Sequence, residues 1–384
     1  MIYLDNGATS FPKPRCTAEA VYNFLLHTGA NPGRSAHGMS VDAARIVYET
    51  RELVNSFFGG PDPLRVVFTM NATYAINMAL KGLVKPGDRV ITTSMEHNAV
   101  MRPLRSLESE GVLLTVVPCE KDGVLDPTDI RKALKDSAEL VVMSAASNVT
   151  GTIMPVREVG KFAREKGVPF LVDTAQAGGL VPLNMDEDFI DLLAFTGHKS
   201  LYGPPGTGGL IIGTGVGEKD IRPLIEGGTG SRSENEIQPA FLPDRLESGT
   251  PNAAGLAGLR ASLNWLMEKV PDGVLQREQD LTERLRQEIT AVSGLRLYGP
   301  EDARQRTGVL SFTIDGIEVS EIGERLDADF GILTRVGLHC APAAHRTIGT
   351  FPEGTVRMAV GAFTRDEEID AAADAVRTIA AEGR

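Results

Sequence analysis

Cysteine is scarce in this chain, whose 384 residues contain only Cys16, Cys119 and Cys340. The three are an odd number, they lie far apart, and no two have the C-x-x-C spacing that is typical of zinc and redox sites. We therefore predict no structural disulfides and no metal site, and one thiol is left open to chemical use.

The chain also lacks long apolar runs and basic blocks. No apolar run approaches the ~20 residues of a membrane span, and Ile2-Tyr3-Leu4 has the character of a strand rather than of a basic, apolar leader. The 39 basic and 51 acidic residues give a net charge of −12. We therefore expect a cytoplasmic protein whose main partner is neither nucleic acid nor a membrane.

The remaining composition, 42% hydrophobic and 23% charged, is typical of a globular enzyme. Apolar runs of strand length alternate with amphipathic stretches, which predicts an α/β fold with a mostly parallel, seven-stranded sheet. The predicted strands are residues 65–68, 89–92, 113–117, 140–143, 170–172, 192–195 and 209–212. Beyond them, we predict a strand at 308–313 and helices at about 276–292 and 366–381.

This change of pattern predicts two domains. The large domain is expected over residues 12–255. A smaller C-terminal α+β domain is expected over residues 256–384 together with the N-terminal residues 1–11. No break in composition marks the boundary between them.

The central motif is an apolar run that ends in Thr196-Gly197-His198-Lys199 and is followed by a Gly/Pro-rich stretch that cannot be helical. Lys199 is therefore predicted on a loop at a strand end, where its amine can form a Schiff base with an aldehyde. Pyridoxal phosphate is anchored in this way and also needs a carboxylate against its pyridine nitrogen, for which Asp173 is the candidate. Taken singly, a Lys is usually a surface residue and such an Asp a turn former.

Taken together, these motifs carry a resemblance. Val172-Asp173-Thr174-Ala175-Gln176, followed by Gly197-His198-Lys199, resembles the class V aminotransferase group and, within it, the cysteine desulfurase and selenocysteine lyase family. The resemblance extends from Tyr3-Leu4-Asp5-Asn6 to Arg357-Met358-Ala359-Val360-Gly361. It implies the fold of the type I pyridoxal-phosphate-dependent transferases, with pyridoxal 5'-phosphate as the cofactor.

The resemblance assigns the cofactor contacts. Ala72-Thr73 matches a phosphate-binding segment at a helix N-terminus, although Tyr74 stands where the family has Glu. His97 is expected to stack on the pyridine ring and to relay protons. The other contacts that the resemblance implies are Gln176 to the phenolic oxygen, Thr196 and His198 to the phosphate, and Gly249 and Thr250 to the phosphate of a neighbouring subunit. As bare residues, most of these are more often turn formers or helix caps.

The predicted nucleophile is Cys340, within Arg335-Val336-Gly337-Leu338-His339-Cys340-Ala341. This segment resembles that of the desulfurase subgroup whose catalytic cysteine lies on a short, ordered loop. Arg335, His339 and His345 are close in sequence, a setting that would favour a reactive thiolate. The alternative for any free cysteine is a small buried hydrophobe.

Substrate contacts are predicted at three residues. Arg357 lies in an apolar, strand-like segment, and its guanidinium suits bidentate binding of a substrate α-carboxylate. The resemblance gives Asn148 a hydrogen bond to substrate or cofactor. It also places His37 near the mouth of the active site.

The function implied by the resemblance is desulfuration of L-cysteine to L-alanine. Sulfur would remain on Cys340 as a persulfide and pass to an acceptor protein or thiol, as in iron–sulfur cluster assembly, and the enzyme would be a homodimer. The alternatives are a selenocysteine lyase, a class V aminotransferase, and a sulfur carrier or scaffold without catalysis. A selenocysteine lyase depends less on a nucleophile at Cys340, an aminotransferase needs none there, and a carrier or scaffold needs no cofactor on Lys199.

Overall fold

The large sheet forms the centre of the molecule. The computed structural model describes residues 1–33, 35, 37–232, 234–269 and 273–383. Seven strands form one sheet in the order β2-β8-β7-β6-β5-β3-β4. They are β2 (Val66–Thr69), β3 (Arg89–Thr93), β4 (Leu113–Val117), β5 (Leu140–Ser144), β6 (Phe170–Asp173), β7 (Leu192–Thr196) and β8 (Gly208–Ile212).

The predicted seven-stranded, mostly parallel sheet is confirmed. The exception is β8, which runs antiparallel to both β7 and β2. Its direction has a local cause: the residues between β7 and β8 form turns and contain no helix that could carry the chain back across the sheet, and parallel neighbours need such a crossover.

Alternating side chains of the strands cover the two faces of this sheet with apolar groups. In β7, Leu193 and Phe195 join one buried apolar cluster, and Leu192 and Ala194 join a second. This alternation follows the two-residue period of a strand. Because both faces are covered by helices, the strands read as continuous apolar runs, which is why the sequence reveals them.

The helices that flank the large sheet precede and follow its strands. The first of them, α1, continues into a π-helical turn at Phe24–Thr28. Their bounds are α1 (Arg15–Asn23), α2 (Gly38–Phe57), α3 (Ala72–Leu83), α4 (Asn98–Ser109), α5 (Pro127–Ala133), α6 (Val156–Glu165) and α7 (Ala253–Lys269).

A smaller antiparallel sheet, ordered β12-β13-β10-β9, follows in the C-terminal part, and the short β1 and β11 pair in parallel. The strands are β1 (Ile2–Tyr3), β9 (Leu295–Tyr298), β10 (Val309–Ile314), β11 (Ile332–Leu333), β12 (Arg335–Gly337) and β13 (Thr355–Ala359). The helices are α8 (Val274–Ile289), α9 (Val319–Phe330), α10 (Pro342–Ile348) and α11 (Asp366–Glu382).

The division into two domains stays a prediction. A third apolar cluster combines Leu4 with residues of α8, α9, α11 and the small sheet, in keeping with the assignment of residues 1–11 to the C-terminal part. Leu256 and Leu263 of α7 belong instead to the first cluster of the large sheet. Packing thus favours a boundary after α7 rather than at residues 255 and 256. Among the helices that the structure describes, none is long and apolar enough to cross a bilayer.

Candidate active site

A cavity of about 200 Å³ lies at the carboxyl ends of β3, β5, β6 and β7, close to the start of α3. Ligands of open α/β sheets collect at this edge. The segments that follow these four strands, distant in sequence, meet there. The cavity is lined by Asn71, Ala72, Thr73, Met95, His97, Ala99, Ser144, Ala146, Asn148, Asp173, Ala175, Gln176, Thr196, His198 and Lys199.

Lys199 lies on the turn that leaves β7, as predicted. The turn is closed by the Tyr202 amide, which donates to the Lys199 carbonyl at 2.8 Å, and by the Gly203 amide, which donates to Gly197 at 2.7 Å. Burial lowers the pKa of the Lys199 amine to about 8, against an opposing contribution from the charge of Asp173. A lysine with this pKa is partly neutral near pH 7, so its amine can act as a nucleophile or a base.

Asp173 is the buried acid of the cavity. It ends β6, and its Oδ1 accepts a hydrogen bond from the Ala175 amide at 2.9 Å. Burial raises the pKa of the carboxyl group, while the Ala175 hydrogen bond and the Lys199 charge oppose the rise. A carboxylate in such a place favours a protonated partner that enters the cavity beside it.

A second buried acid, Glu96, was assigned no role from the sequence, although it directly precedes His97. Its Oε1 accepts from Thr93 Oγ1 at 2.6 Å, and its Oε2 accepts from the Ser144 amide at 3.0 Å and Ser144 Oγ at 2.7 Å. Burial raises its pKa to about 7. Glu96 thus connects the end of β3 to the end of β5 and fixes the segment that presents His97.

His97 caps α4, because its Nδ1 accepts a hydrogen bond from the Ala99 amide at 2.9 Å. Burial lowers the pKa of the ring to about 4, and the charges of Lys199 and Arg335 lower it further. The ring is therefore neutral at pH 7 and, with Nδ1 as an acceptor, carries its proton on Nε2. Only that nitrogen can exchange a proton with a ligand.

Polar groups at one end of the cavity suit an anion. Thr196 Oγ1 is buried and has no hydrogen-bond partner among the described residues. The first turn of α3 begins at Ala72 and Thr73, and Asn71 Oδ1 caps only the Tyr74 amide, at 3.0 Å. The earliest amides of a helix have no partner within it and attract anions.

Two further cavity residues are held by the N-terminal segment. Gln176 Nε2 donates to the Gly7 carbonyl at 2.9 Å, which leaves the second hydrogen of that amide for another acceptor. His198 Nδ1 lies 3.1 Å from Thr9 Oγ1. Burial lowers the pKa of His198 to about 4, and the charges of Lys199 and Lys13 contribute. The amine, the acid and the anion-binding groups of the cavity together fit pyridoxal phosphate, the cofactor expected from the sequence.

Cys340 lies outside the lining of this cavity and is exposed, on the loop between β12 and α10. Its carbonyl accepts from the Asn98 amide at 2.8 Å, so the loop joins the start of α4 next to His97. Arg335 Nη2 lies 3.8 Å from Cys340 Sγ. His339 and Cys340 both have positive φ values, 48° and 58°, which are strained for side chains of this size.

The two histidines near Cys340 do not supply the positive charge that the sequence suggested. His339 Nε2 pairs with Thr355 Oγ1 at 3.0 Å, and His345 Nδ1 pairs with Thr350 Oγ1 at 2.7 Å. Burial lowers the pKa of both rings far enough that they are neutral at pH 7. Arg335 is therefore the cation that contacts the thiol. The two histidines form hydrogen bonds with Thr355 and Thr350 instead.

Arg357 is almost completely buried in β13 and is already engaged. Its Nη2 donates to Asp5 Oδ1 at 2.8 Å, and its Nη1 donates to the Asn148 carbonyl at 2.9 Å. Its Nε has no partner among the described residues. Gly7 lies against the guanidinium group, because a Cβ added at residue 7 would be only 3.0 Å from Arg357 Cζ.

Asn148 joins the two groups of residues. It lines the cavity, its carbonyl accepts from Arg357, and its Nδ2 donates to the His339 carbonyl at 2.7 Å. Asn148, which follows β5, thus contacts both Arg357, the predicted binder of the substrate carboxylate, and the loop that carries Cys340.

The remaining predicted residues lie away from Lys199 within one chain. Gly249 and Thr250 are exposed and line a separate groove of about 520 Å³. His37 is exposed and caps α2 by accepting from the Ser40 amide at 3.2 Å. Their roles in binding phosphate and substrate stay predictions. The sequence analysis missed the segment from Asp5 to Lys13, whose contacts join residues almost 200 and more than 350 positions apart and leave no local pattern.

Comparison with known proteins identifies the family of this chain. The family described as Aminotransferase class-V matches residues 2–372. This chain belongs to that family. The predicted family and α/β fold class are thereby confirmed.

Similar members of the class-V family are named as desulfurases. A probable cysteine desulfurase of Methanothermobacter thermautotrophicus is 32% identical over 100% of this chain and 95% of its own length. A cysteine desulfurase of Pectobacterium atrosepticum is 31% identical over 96% of this chain and 91% of its own length. The solved apo structure of a cysteine desulfurase from Thermococcus onnurineus has a TM-score of 0.93 at 32% identity, covering 99% of this chain and 95% of that one.

Proposed function

We propose that this class-V family member is a pyridoxal-phosphate-dependent cysteine desulfurase, which converts L-cysteine to L-alanine and retains the sulfur on Cys340. The observation that carries the proposal is the single cavity in which Lys199, Asp173 and His97 meet, with the Cys340 loop hydrogen-bonded to the residue after His97. The similarity to proteins named cysteine desulfurase supports the choice of substrate.

The cofactor has a defined set of holders in this chain. Pyridoxal phosphate supplies an aldehyde for a lysine amine and a ring that accepts the electrons released at an amino acid's Cα. Lys199 would hold the aldehyde carbon and Asp173 the ring nitrogen. The anion-binding groups would hold the phosphate, namely Thr196 Oγ1, His198 and the amides of Ala72 and Thr73.

Protons are handled by two residues of the cavity. The Lys199 amine, with its pKa of about 8, can accept the Cα proton of the substrate and then donate a proton to another atom of the reacting group. His97 offers only its Nε2 proton, because Nδ1 is held by the Ala99 amide. The substrate carboxylate would bind Arg357, whose buried Nε has no other partner among the described residues.

The sulfur step involves two thiols and no external oxidant. Cys340 Sγ attacks the sulfur of the substrate, a sulfur–sulfur bond forms and the Cβ–S bond breaks. The electron pair of the broken bond stays on Cβ, which takes up a proton to give alanine. Enzyme thiol plus cysteine therefore becomes enzyme persulfide plus alanine. The exposure of Cys340 allows a thiol of an acceptor to collect the sulfur.

We further propose that the active unit is a homodimer. Apolar side chains of α1 and its continuation are exposed, with Tyr22 at 63%, Leu25 at 66% and Leu26 at 59%, and exposed apolar surface of this extent is typical of an interface. The groove that contains Gly249 and Thr250 is separate from the cavity of the same chain, so these residues could serve the phosphate of a partner subunit. Light scattering during gel filtration would test the proposal, and a monomer with full activity would contradict it.

The test of function is to incubate the purified protein with L-cysteine and a dithiol and to measure alanine and sulfide together. We expect equimolar release of both. Cys340→Ala should lose both products and keep the absorption band of bound cofactor, while the control Cys16→Ala keeps full activity. Bound cofactor without either product from L-cysteine would contradict the proposal.

The same assay separates the alternatives. Turnover of selenocysteine that survives in Cys340→Ala would identify a selenocysteine lyase, because that reaction depends less on the nucleophile. Amino-group transfer that depends on an added keto acid would identify an aminotransferase. A protein that binds no pyridoxal phosphate would be a carrier or scaffold.

A further inference from the structure

The N-terminal segment holds the turn that carries Lys199. Lys13 Nζ lies 2.6 Å from the His198 carbonyl and 2.7 Å from Ser10 Oγ. Ser10 Oγ in turn lies 2.8 Å from the Lys199 carbonyl and donates to it. The His198 carbonyl also accepts from Thr9 Oγ1 at 2.9 Å and from the Ser10 amide at 3.1 Å.

We propose that Lys13 is a positioning residue for Lys199: its ammonium group holds the carbonyls of His198 and Lys199, directly and through Ser10, and so fixes the turn from which the Lys199 amine acts. The proposal rests on the proposed function, in which that amine holds the cofactor. Lys13 is not in the lining of the cavity and is not itself a catalytic residue.

The environment of Lys13 is unusual for a lysine. Lysine ammonium groups normally remain in water, but this side chain is partly buried and its hydrogen-bond partners are a carbonyl and a hydroxyl rather than a carboxylate. Burial also lowers the pKa of Lys13 to about 8. Among the residues that the structure describes, none forms an ion pair with Lys13, and the cost of desolvating its ammonium group is offset by a charge-assisted hydrogen bond to the backbone, which is stronger than a neutral one.

The donors form a connected path to Lys199. Lys13 donates to Ser10 Oγ, and the hydroxyl hydrogen of Ser10 is then directed to the Lys199 carbonyl, so each bond polarises the next. Burial, the charge of Lys199 and, as the smallest contribution, the charge of Lys13 lower the pKa of the neighbouring His198. Loss of Lys13 should therefore leave the turn folded and displace Lys199 by a small distance, to which catalysis is sensitive.

The test compares Lys13→Met with Lys13→Arg, which retains charge and donors, and with the control Lys161→Met at an exposed lysine of α6. We expect kcat of Lys13→Met to fall about tenfold to hundredfold, with KM for L-cysteine changed by less than about threefold. Lys13→Arg should recover part of kcat. In the cofactor-free protein, acylation of Lys199, resolved by peptide mass spectrometry, should change in rate by about threefold or more in Lys13→Met.

Several outcomes would overturn the proposal. Wild-type kcat in Lys13→Met, or an unchanged Lys199 acylation rate in that variant, would show that Lys13 does not position the amine. Should Lys13→Met fail to fold, Lys13→Gln keeps a donor without the charge and is compared in the same two measurements. A wild-type protein that binds no pyridoxal phosphate would defeat the proposed function instead, and the acylation rates would still decide the role of Lys13.

Discussion

The cofactor half and the thiol half of the site are built in different ways. Asp173 ends β6 and Lys199 follows the adjacent parallel strand β7, so that a buried acid and a partly buried lysine meet at one edge of the large sheet. Arg335 lies on a short strand of the smaller sheet. The exposed Cys340 lies on the loop that follows, where His339 and Cys340 both adopt left-handed conformations. The first half is fixed mainly by strand register, with added contacts from the N-terminal segment to the turn of Lys199, and the second half depends on a few long-range hydrogen bonds.

Because of this difference, we expect substitutions to affect the geometry of the two halves differently. The strands that carry Asp173 and precede Lys199 are covered on both faces by helices, so removal of either of these two side chains should act mainly on the chemistry, whereas the turn of Lys199 also depends on its contacts with Lys13 and Ser10. The cysteine loop depends on single contacts, such as that of Asn148 with the His339 carbonyl. Substitutions at those contacts should move the thiol without removing any reacting group.

The largest effect is expected in the cofactor half. Lys199→Ala removes both the amine that would hold the cofactor and the proposed base, so kcat should fall by about 10²–10⁴-fold or more. The absorption band of the lysine-bound cofactor should disappear, while the unfolding transition stays close to that of the wild type. Lys161→Ala is the matched control. A band that survives in Lys199→Ala would show that another amine holds the cofactor.

A smaller effect is expected where the halves meet. Asn148→Ala removes the 2.7 Å hydrogen bond to the His339 carbonyl and leaves that carbonyl without this donor. We expect persulfide formation on Cys340 to slow about tenfold, since such a bond contributes about 1 kcal/mol and its loss frees the loop. Stopped-flow measurement of alanine formation in the first turnover tests this.

The control for that variant is Asn55→Ala. The Asn55 amide also donates to a backbone carbonyl, that of Gly60 at 2.9 Å, and Asn55 is not among the residues that line the cavity. A slow first turnover in both variants would mean that the effect is general destabilisation and not displacement of the loop.

The same contrast explains what the sequence could predict. The seven strands were predicted nearly to the residue because each is a continuous apolar run between turns. Lys199 was predicted at a strand end, Asp173 as the carboxylate that the expected cofactor needs and His97 from the family resemblance, and the structure places all three in one cavity. The contacts of Asp5 and Lys13 were not predictable, because they depend on how chain segments hundreds of residues apart come together.

The histidines beside Cys340 show a further limit. Proximity in sequence suggested that His339 and His345 would favour a thiolate, but burial keeps both rings neutral. His339 lies on a loop and His345 in the seven-residue helix α10, and neither segment has a periodicity long enough for burial to be inferred from it. The charge state of a loop residue is therefore less predictable than that of a residue at a strand end.

A moderate effect is expected at Asp5, which holds the guanidinium of Arg357 before any substrate binds. Asp5→Asn keeps an acceptor of the same shape and removes the charge that competes with the substrate carboxylate. We expect KM for L-cysteine to fall about threefold to tenfold, equivalent to about 0.7–1.4 kcal/mol, and the unfolding temperature to fall because a buried arginine loses its counter-charge. Asp5→Ala, which also loses the acceptor, should raise KM. A raised KM in both variants would show that Asp5 orients Arg357 and does not compete with the substrate.

The smallest effect on catalysis is expected at Glu278, a buried acid of α8 that accepts a 3.3 Å hydrogen bond from Tyr202, three residues beyond Lys199. Burial raises its pKa from 4.5 to about 8, so the folded protein binds a proton there that the unfolded chain has released between these values. Stability should therefore fall as pH rises from about 5 to 8, by on the order of 1–3 kcal/mol.

Glu278→Gln should remove this dependence and leave kcat unchanged at pH 7, because Gln retains an acceptor for Tyr202. Urea unfolding of both proteins at pH 5 and pH 8 measures the two slopes. Equal slopes would show that Glu278 is ionised in the folded protein. A large loss of kcat in Glu278→Gln would mean that the contact of α8 with the lysine turn contributes to catalysis, and that the two halves are coupled beyond Asn148.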